Sequence, residues 1–184
     1  MFGEEVYVHQ FKLNAKAAFE GDVWQWHQDY GTWQRDDGMP QARAMNIAVF
    51  LDEVMPINGP LMLVPRSQLA GDLKASHDLA TTSYPLWTLD EETVTRLVKQ
   101  GGIVAPTGKA GGMLMFHGNL VHGSSGNITP YPRKIVYLTL CACSNHITKF
   151  TRPEFIAHRD FTPIVPVDDD SLLDYARAHR VAAE

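Results

Sequence analysis

Short apolar stretches, broken at nearly regular intervals by turn residues, limit the fold of this chain more than any other feature. Residues 42–51 and 133–144 are the longest of them and read as core strands. Residues 4–14, 61–64 and 113–116 read as further strands, and another begins within 119–122. In the first, Val6, Val8 and Gln10 alternate with Tyr7, His9 and Phe11. Between the strands lie 52–60, 106–112 and 123–132, rich in Pro, Gly, Asn and Ser. Residues 31–40 read as a polar loop, and 67–83 as irregular chain. One clear helix is expected over 90–100, with Asp90 as N-cap, Glu91 and Glu92 in the first turn and Gly101-Gly102 as its stop. A second is expected over 169–180. Many strands with few flanking helices make an all-β fold, a jelly roll of about eight strands.

With 184 residues, 45% of them hydrophobic, the chain can close one domain around a core, so 1–184 is read as a single unit. A net charge of −5 leaves no basic footprint, and nucleic acid is not expected as a partner. No apolar run approaches the length of a bilayer span, so no membrane partner is expected either. Met1 to Glu5 lacks a basic stretch leading into an apolar one, and Cys141 and Cys143 read as reduced thiols. Together these point to the cytoplasm.

The stretch Val23-Trp24-Gln25-Trp26-His27-Gln28-Asp29-Tyr30 carries the chemistry. A strand sends residues i and i+2 to one face, so His27 and Asp29 can point at one spot. One imidazole and one carboxylate are two thirds of a facial triad for a metal, and the third ligand must come from a distant strand. His117 and His122 compete for it. His122 is preferred, because Gly123 and Ser124 leave room beside it and the loop it begins runs into the last long strand, which Arg133 opens. Two histidines and one carboxylate on one side of an ion leave its other side open, which suits non-haem Fe(II). Arg133 is suited to a bidentate grip on the far carboxylate of a dicarboxylic co-substrate.

These residues resemble a known family. Trp26-His27-Gln28-Asp29-Tyr30-Gly31-Thr32-Trp33 followed by Asp36-Asp37-Gly38-Met39-Pro40 is similar to the iron-binding signature of the phytanoyl-CoA dioxygenase family, and within it to the ectoine hydroxylases. Val6-Tyr7-Val8-His9-Gln10, the run from Asn58 to Pro65, Gly102 to Lys109 and His122 to Pro130 match in the same order. The resemblance implies a double-stranded β-helix, a cupin-like barrel, that uses Fe(II), 2-oxoglutarate and O2. Carried over by position, His27, Asp29 and His122 would hold the iron. Arg133 would bind 2-oxoglutarate, with Ser124, Asn14 and Trp24 around it. Gln10, Lys12, Thr32, Trp33, Phe116 and Tyr137 match positions around the ectoine hydroxylases' substrate pocket. Arg152 is a further candidate, if the segment after the last strand folds back over that pocket.

Lys12 stands where those enzymes have arginine, and Tyr137 where they have phenylalanine. The expected substrate is therefore a small polar molecule, an amino acid or an ectoine-like compound. The resemblance further implies that 2-oxoglutarate is split to succinate and CO2 while the substrate is hydroxylated. Asp29 favours hydroxylation over halogenation, because it fills the position a halide would need. Two other readings share the triad. One is a non-catalytic or truncated metal-binding barrel. The other is a hydrolase or isomerase of cupin type, which would have no use for Arg133. Family members carry a substantial segment ahead of the Val-Tyr-Val-His-Gln strand, and this chain starts almost at it. It reads as a compact relative or a fragment, with an apolar barrel face left to favour a homodimer.

Overall fold

The computed structural model describes residues 2–82 and 84–180. Among them, nine strands form two antiparallel sheets. The larger sheet has the order β1 (Val6–Lys16), β9 (Arg133–Ala142), β3 (Ala44–Phe50) and β7 (Met113–His117). The smaller has β4 (Leu61–Leu63), β8 (His122–Ser124), β2 (Trp24–His27), β6 (Leu86–Thr88) and β5 (Ser76–Asp78). The expected helices are present as α2 (Glu91–Gly101) and α3 (Ser171–Arg180). The Asp90 carboxylate caps α2 by accepting the Thr93 N–H at 2.7 Å. The fold is the double-stranded β-helix. No helix among the described residues is long and apolar enough to cross a membrane.

Two local expectations are corrected. The polar loop at 31–40 is largely a helix, α1 (Asp29–Asp37). Its buried residues are Asp29, Tyr30, Gly31, Thr32, Trp33 and Asp37, so polar groups interrupt the inward face and no continuous apolar stripe marks a helix. Gly38 ends it at φ 66°, where the Gly38 and Met39 N–H groups return to Gln34 O and Trp33 O. In addition, β5 and a 3-10 turn at Ser67–Ala70 stand where 67–83 read as irregular, and β6 follows just beyond it, where no strand was expected. These strands are three residues each, too short for alternation to register.

The strand β1 determines what the barrel encloses. It pairs with β9 along its length, but the register shifts between Val8 and Gln10. That bulge at His9 changes which residues face inward. Tyr7 and His9 are buried before it. After it Gln10, Lys12, Asn14 and Lys16 turn toward the interior, while Phe11 and Leu13 stand more than half exposed on the outside. The usual pattern is inverted, with polar groups inside. Met113 and Met115 on β7 continue the apolar outer face. On β9, Arg133, Ile135, Tyr137, Thr139 and Cys141 all face in.

Candidate active site

The two histidines meet because β2 and β8 run antiparallel with His27 and His122 in register. Their ring centroids are 4.2 Å apart. Asp29 arrives by a different route from the one expected. It does not continue the strand but opens α1, the chain turning at Gln28. That turn is pinned by the Gln28 side chain. Its amide donates to the Gly71 and Asn119 carbonyls at 2.8 Å each, and its oxygen accepts the Leu73 N–H at 3.0 Å. The Asp29 carboxylate thus reaches in between the imidazoles, Oδ1 at 3.6 Å from His27 Nε2 and Oδ2 at 3.6 Å from His122 Nε2. One ligand atom from each of the three buried residues lies within 4.8 Å of the others.

The surroundings orient all three. His27 Nδ1 is 2.7 Å from Gln25 O, and His122 Nδ1 is 2.9 Å from Leu120 O. A carbonyl can only accept, so each Nδ1 carries the proton and each Nε2 turns a lone pair to the shared point. Asn46 on β3 donates to Asp29 Oδ2 at 2.6 Å, and itself accepts from the Thr139 hydroxyl at 2.6 Å. Burial pushes His122 down to about 4, and His27 acts in the same direction. Burial also pushes the Asp29 carboxyl up, but the Lys12 ammonium and the two imidazoles outweigh it and hold it well below the usual carboxylate range. Near neutral pH, a neutral imidazole and an ionised carboxylate therefore face one point, as a divalent cation requires. His117 does something else, since its Nδ1 accepts the Asn119 N–H at 3.0 Å and shapes the turn.

Two cavities flank the triad. The inner one is a narrow cleft lined by Lys12, Asn14, Trp24, Ser124 and Tyr137 together with His27, Asp29 and His122. Arg133 lies behind it, fully buried. Its Nε and Nη2 donate to Gly59 O at 3.1 and 2.8 Å, and Nη1 donates to Asn14 Oδ1 at 2.8 Å. Gly59 has φ 78°, and a Cβ there would lie 2.6 Å from Lys16 Cδ and 3.0 Å from Ser125 O. Only glycine brings that carbonyl to the guanidinium. Among the described residues no carboxylate comes within 4.0 Å of Arg133. Its register partner Lys16 is also buried, and burial with Arg133 nearby lowers it to about 8.

The outer cavity, about 390 Å³, is lined by Gln10, Lys12, Thr32, Trp33, Arg152 and Phe155 among others. Arg152 does fold back there, held on both oxygens of the buried Asp37. Gln10 accepts the Trp33 indole N–H at 3.2 Å and donates to Ile156 O at 2.6 Å. Phe116 lines neither cavity. Its ring packs edge-on against His122 at 5.0 Å. Sequence reasoning missed Asn46, Lys16 and Asp37. Lys16 had a signal, the polar i, i+2 series Gln10, Lys12, Asn14 and Lys16. Asn46 and Asp37 had none, since each acts on a residue far away in sequence.

The family model for phytanoyl-CoA dioxygenase matches residues 1–135. The chain belongs to the phytanoyl-CoA dioxygenase family. Within the family it is 40% identical to the ectoine dioxygenase of Sphingopyxis alaskensis, a match covering 95% of this chain and 60% of that protein. It is 39% identical to the L-proline trans-4-hydroxylase of Streptomyces griseoviridis, covering 94% and 68%. The crystal structure of EctD from S. alaskensis with 2-oxoglutarate and 5-hydroxyectoine superposes with a TM-score of 0.74 at 43% identity, over 86% of this chain and 54% of that one. The same enzyme with bound Fe gives 0.75 at 41% identity, over 91% and 57%. The chain thus spans about 60% of the length of the ectoine dioxygenase that it matches.

Proposed function

We propose that this chain carries the active site of an Fe(II)- and 2-oxoglutarate-dependent dioxygenase that hydroxylates a small polar molecule, an amino acid or a cyclic amino-acid derivative. The observation that carries this is the buried His27–Asp29–His122 triad, open to a cleft backed by an arginine that has no acid partner among the described residues. Both Nε2 atoms and the carboxylate suit ferrous iron. Iron held there would supply the activation of O2 and the oxidative decarboxylation of 2-oxoglutarate to succinate and CO2.

The chain's own residues do the rest. Arg133 takes the distal carboxylate of 2-oxoglutarate, and Lys16 adds positive charge beside it. Gly59 and Asn14 fix the guanidinium plane, while Ser124 and Trp24 wall the cleft. In the outer cavity Lys12 makes no ion pair within 4.0 Å among the described residues and is the charge available to a substrate carboxylate. Arg152, already neutralised by Asp37, offers direction more than charge. Among the described residues Thr32 Oγ1 is buried without a partner, and it is free to meet a polar substrate group. The buried Trp33 walls the outer cavity against water. The names of the relatives support this substrate class, since proline is a cyclic amino acid and ectoine a cyclic amino-acid derivative.

The test is succinate release from 2-oxoglutarate with added Fe(II), over a panel that includes L-proline and ectoine. Release by the wild type and loss in His27→Ala are expected. Equal release by both would overturn the proposal. A barrel that binds iron without turnover is the rival. Stoichiometric iron binding with no succinate on any substrate would select it.

A further inference from the structure

Tyr137 stands between the two ends of the site. It is four residues after Arg133 on β9, so both face inward, and its register partner on β1 is Lys12. The Lys12 Nζ lies 5.4 Å from the centre of its ring. At the other end the Arg133 guanidinium is near enough to the Tyr137 phenol to act on it electrostatically, opposing the effect of burial. A guanidinium can only donate and so cannot take the phenolic proton, which remains for another acceptor. Burial keeps that proton in place by pushing the phenol well above its ordinary range. Tyr137 lines the inner cleft with the three ligands and not the outer cavity. Arg133, meanwhile, has committed three of its N–H bonds to Gly59 and Asn14.

We infer that the Tyr137 hydroxyl is a direct donor to the distal carboxylate of the bound 2-oxo diacid, completing the grip that Arg133 alone leaves partial. The inference rests on the function proposed above and deepens it. It gives Tyr137 a place in the co-substrate seat, where the resemblance had set it beside the substrate. A phenylalanine at this position keeps the ring and its packing but offers no donor. A diacid would then be held by Arg133 with one hydrogen bond fewer.

The experiment is calorimetric titration of the anaerobic, Fe(II)-loaded chain with 2-oxoglutarate, and separately with pyruvate, a 2-oxo acid without the distal carboxylate. Wild type and Tyr137→Phe are compared, and Fe(II) affinity is measured for each. A hydrogen bond to a charged group implies a 2-oxoglutarate Kd roughly tenfold or more weaker in Tyr137→Phe. Pyruvate and iron affinity should not change. Equal 2-oxoglutarate affinity in the two proteins would overturn the inference. So would parallel weakening of 2-oxoglutarate and pyruvate, because the ring would then be acting through the shape of the cleft. If the wild type binds 2-oxoglutarate no better than pyruvate, the functional reading fails, and this inference fails with it.

Discussion

Asn46 is the residue on which the orientation of Asp29 depends most. It donates to Asp29 Oδ2 and is itself fixed by Thr139, so the carboxylate is held from two strands of the larger sheet. Removing such a support costs roughly 10- to 100-fold in metal affinity while leaving the ligands in place. Asn46→Ala should therefore weaken Fe(II) binding by about that factor in a competition titration, with the folded state retained. Unchanged affinity would mean that the helix start alone positions Asp29. Gly59 offers a companion test at the other end of the cleft. In Gly59→Ala the Cβ meets Lys16 and Ser125 O at a strained φ, so the carbonyl under Arg133 must shift. Binding of 2-oxoglutarate should weaken, whereas Fe(II) affinity should stay close to that of the wild type. The triad could be read from the sequence because a His-x-Asp pair and a downstream histidine form a recognisable pattern. Asn46 could not, because an asparagine within an apolar strand looks like any other buried amide until its partner is known.

At the level of elements, the long strands and α2 were readable because their apolar spacing and end signals are local. The helix α1 was not, since its inward face mixes the polar Asp29, Thr32 and Asp37 with the aromatic Tyr30 and Trp33. The β1 bulge was not readable either. One extra residue at His9 exchanges the faces, and nothing in Val-Tyr-Val-His-Gln announces it. The consequence is functional: without the shift, Phe11 and Leu13 would face the triad and Lys12 would face solvent. The β2–α1 turn is the other element that positions the site, and Gln28 is its fastener. Gln28→Ala leaves two carbonyls and one N–H without their partner in a buried setting. Denaturant unfolding should show a loss on the order of 3 kcal/mol. Fe(II) binding should weaken in parallel, since the same turn carries His27 and Asp29. A loss of stability with wild-type metal affinity would separate the turn from the site.

Across the whole molecule, the C-terminal segment after β9 is a strap that ties β1 to α1. The Thr148 and Lys149 N–H groups donate to Asp37 O at 3.0 and 2.8 Å, His158 N–H donates to His9 O at 3.0 Å, and Ile164 N–H donates to Val6 O at 2.9 Å. His9 lies under this strap, fully buried, with both ring nitrogens unpartnered. Asp37 Oδ2 is 3.7 Å from its Nε2, too far for a hydrogen bond, and that carboxylate is already held by Arg152. Burial, and then Arg152, His158 and Lys12, push His9 down to about 3, while Asp29 opposes them. In the unfolded chain a histidine protonates near 6.5. The folded state therefore holds one proton fewer between these values, and its stability falls as pH falls. The contribution is complete above about pH 6.5 and is lost as pH drops through about 3, at about 1.4 kcal/mol per pH unit in between. Urea unfolding at several pH values from about 7 to about 4 should show this slope. His9→Phe, which fills the same space with no group to protonate, should flatten it relative to the wild type. If both proteins lose stability at the same rate, the acid sensitivity belongs to other groups and not to His9.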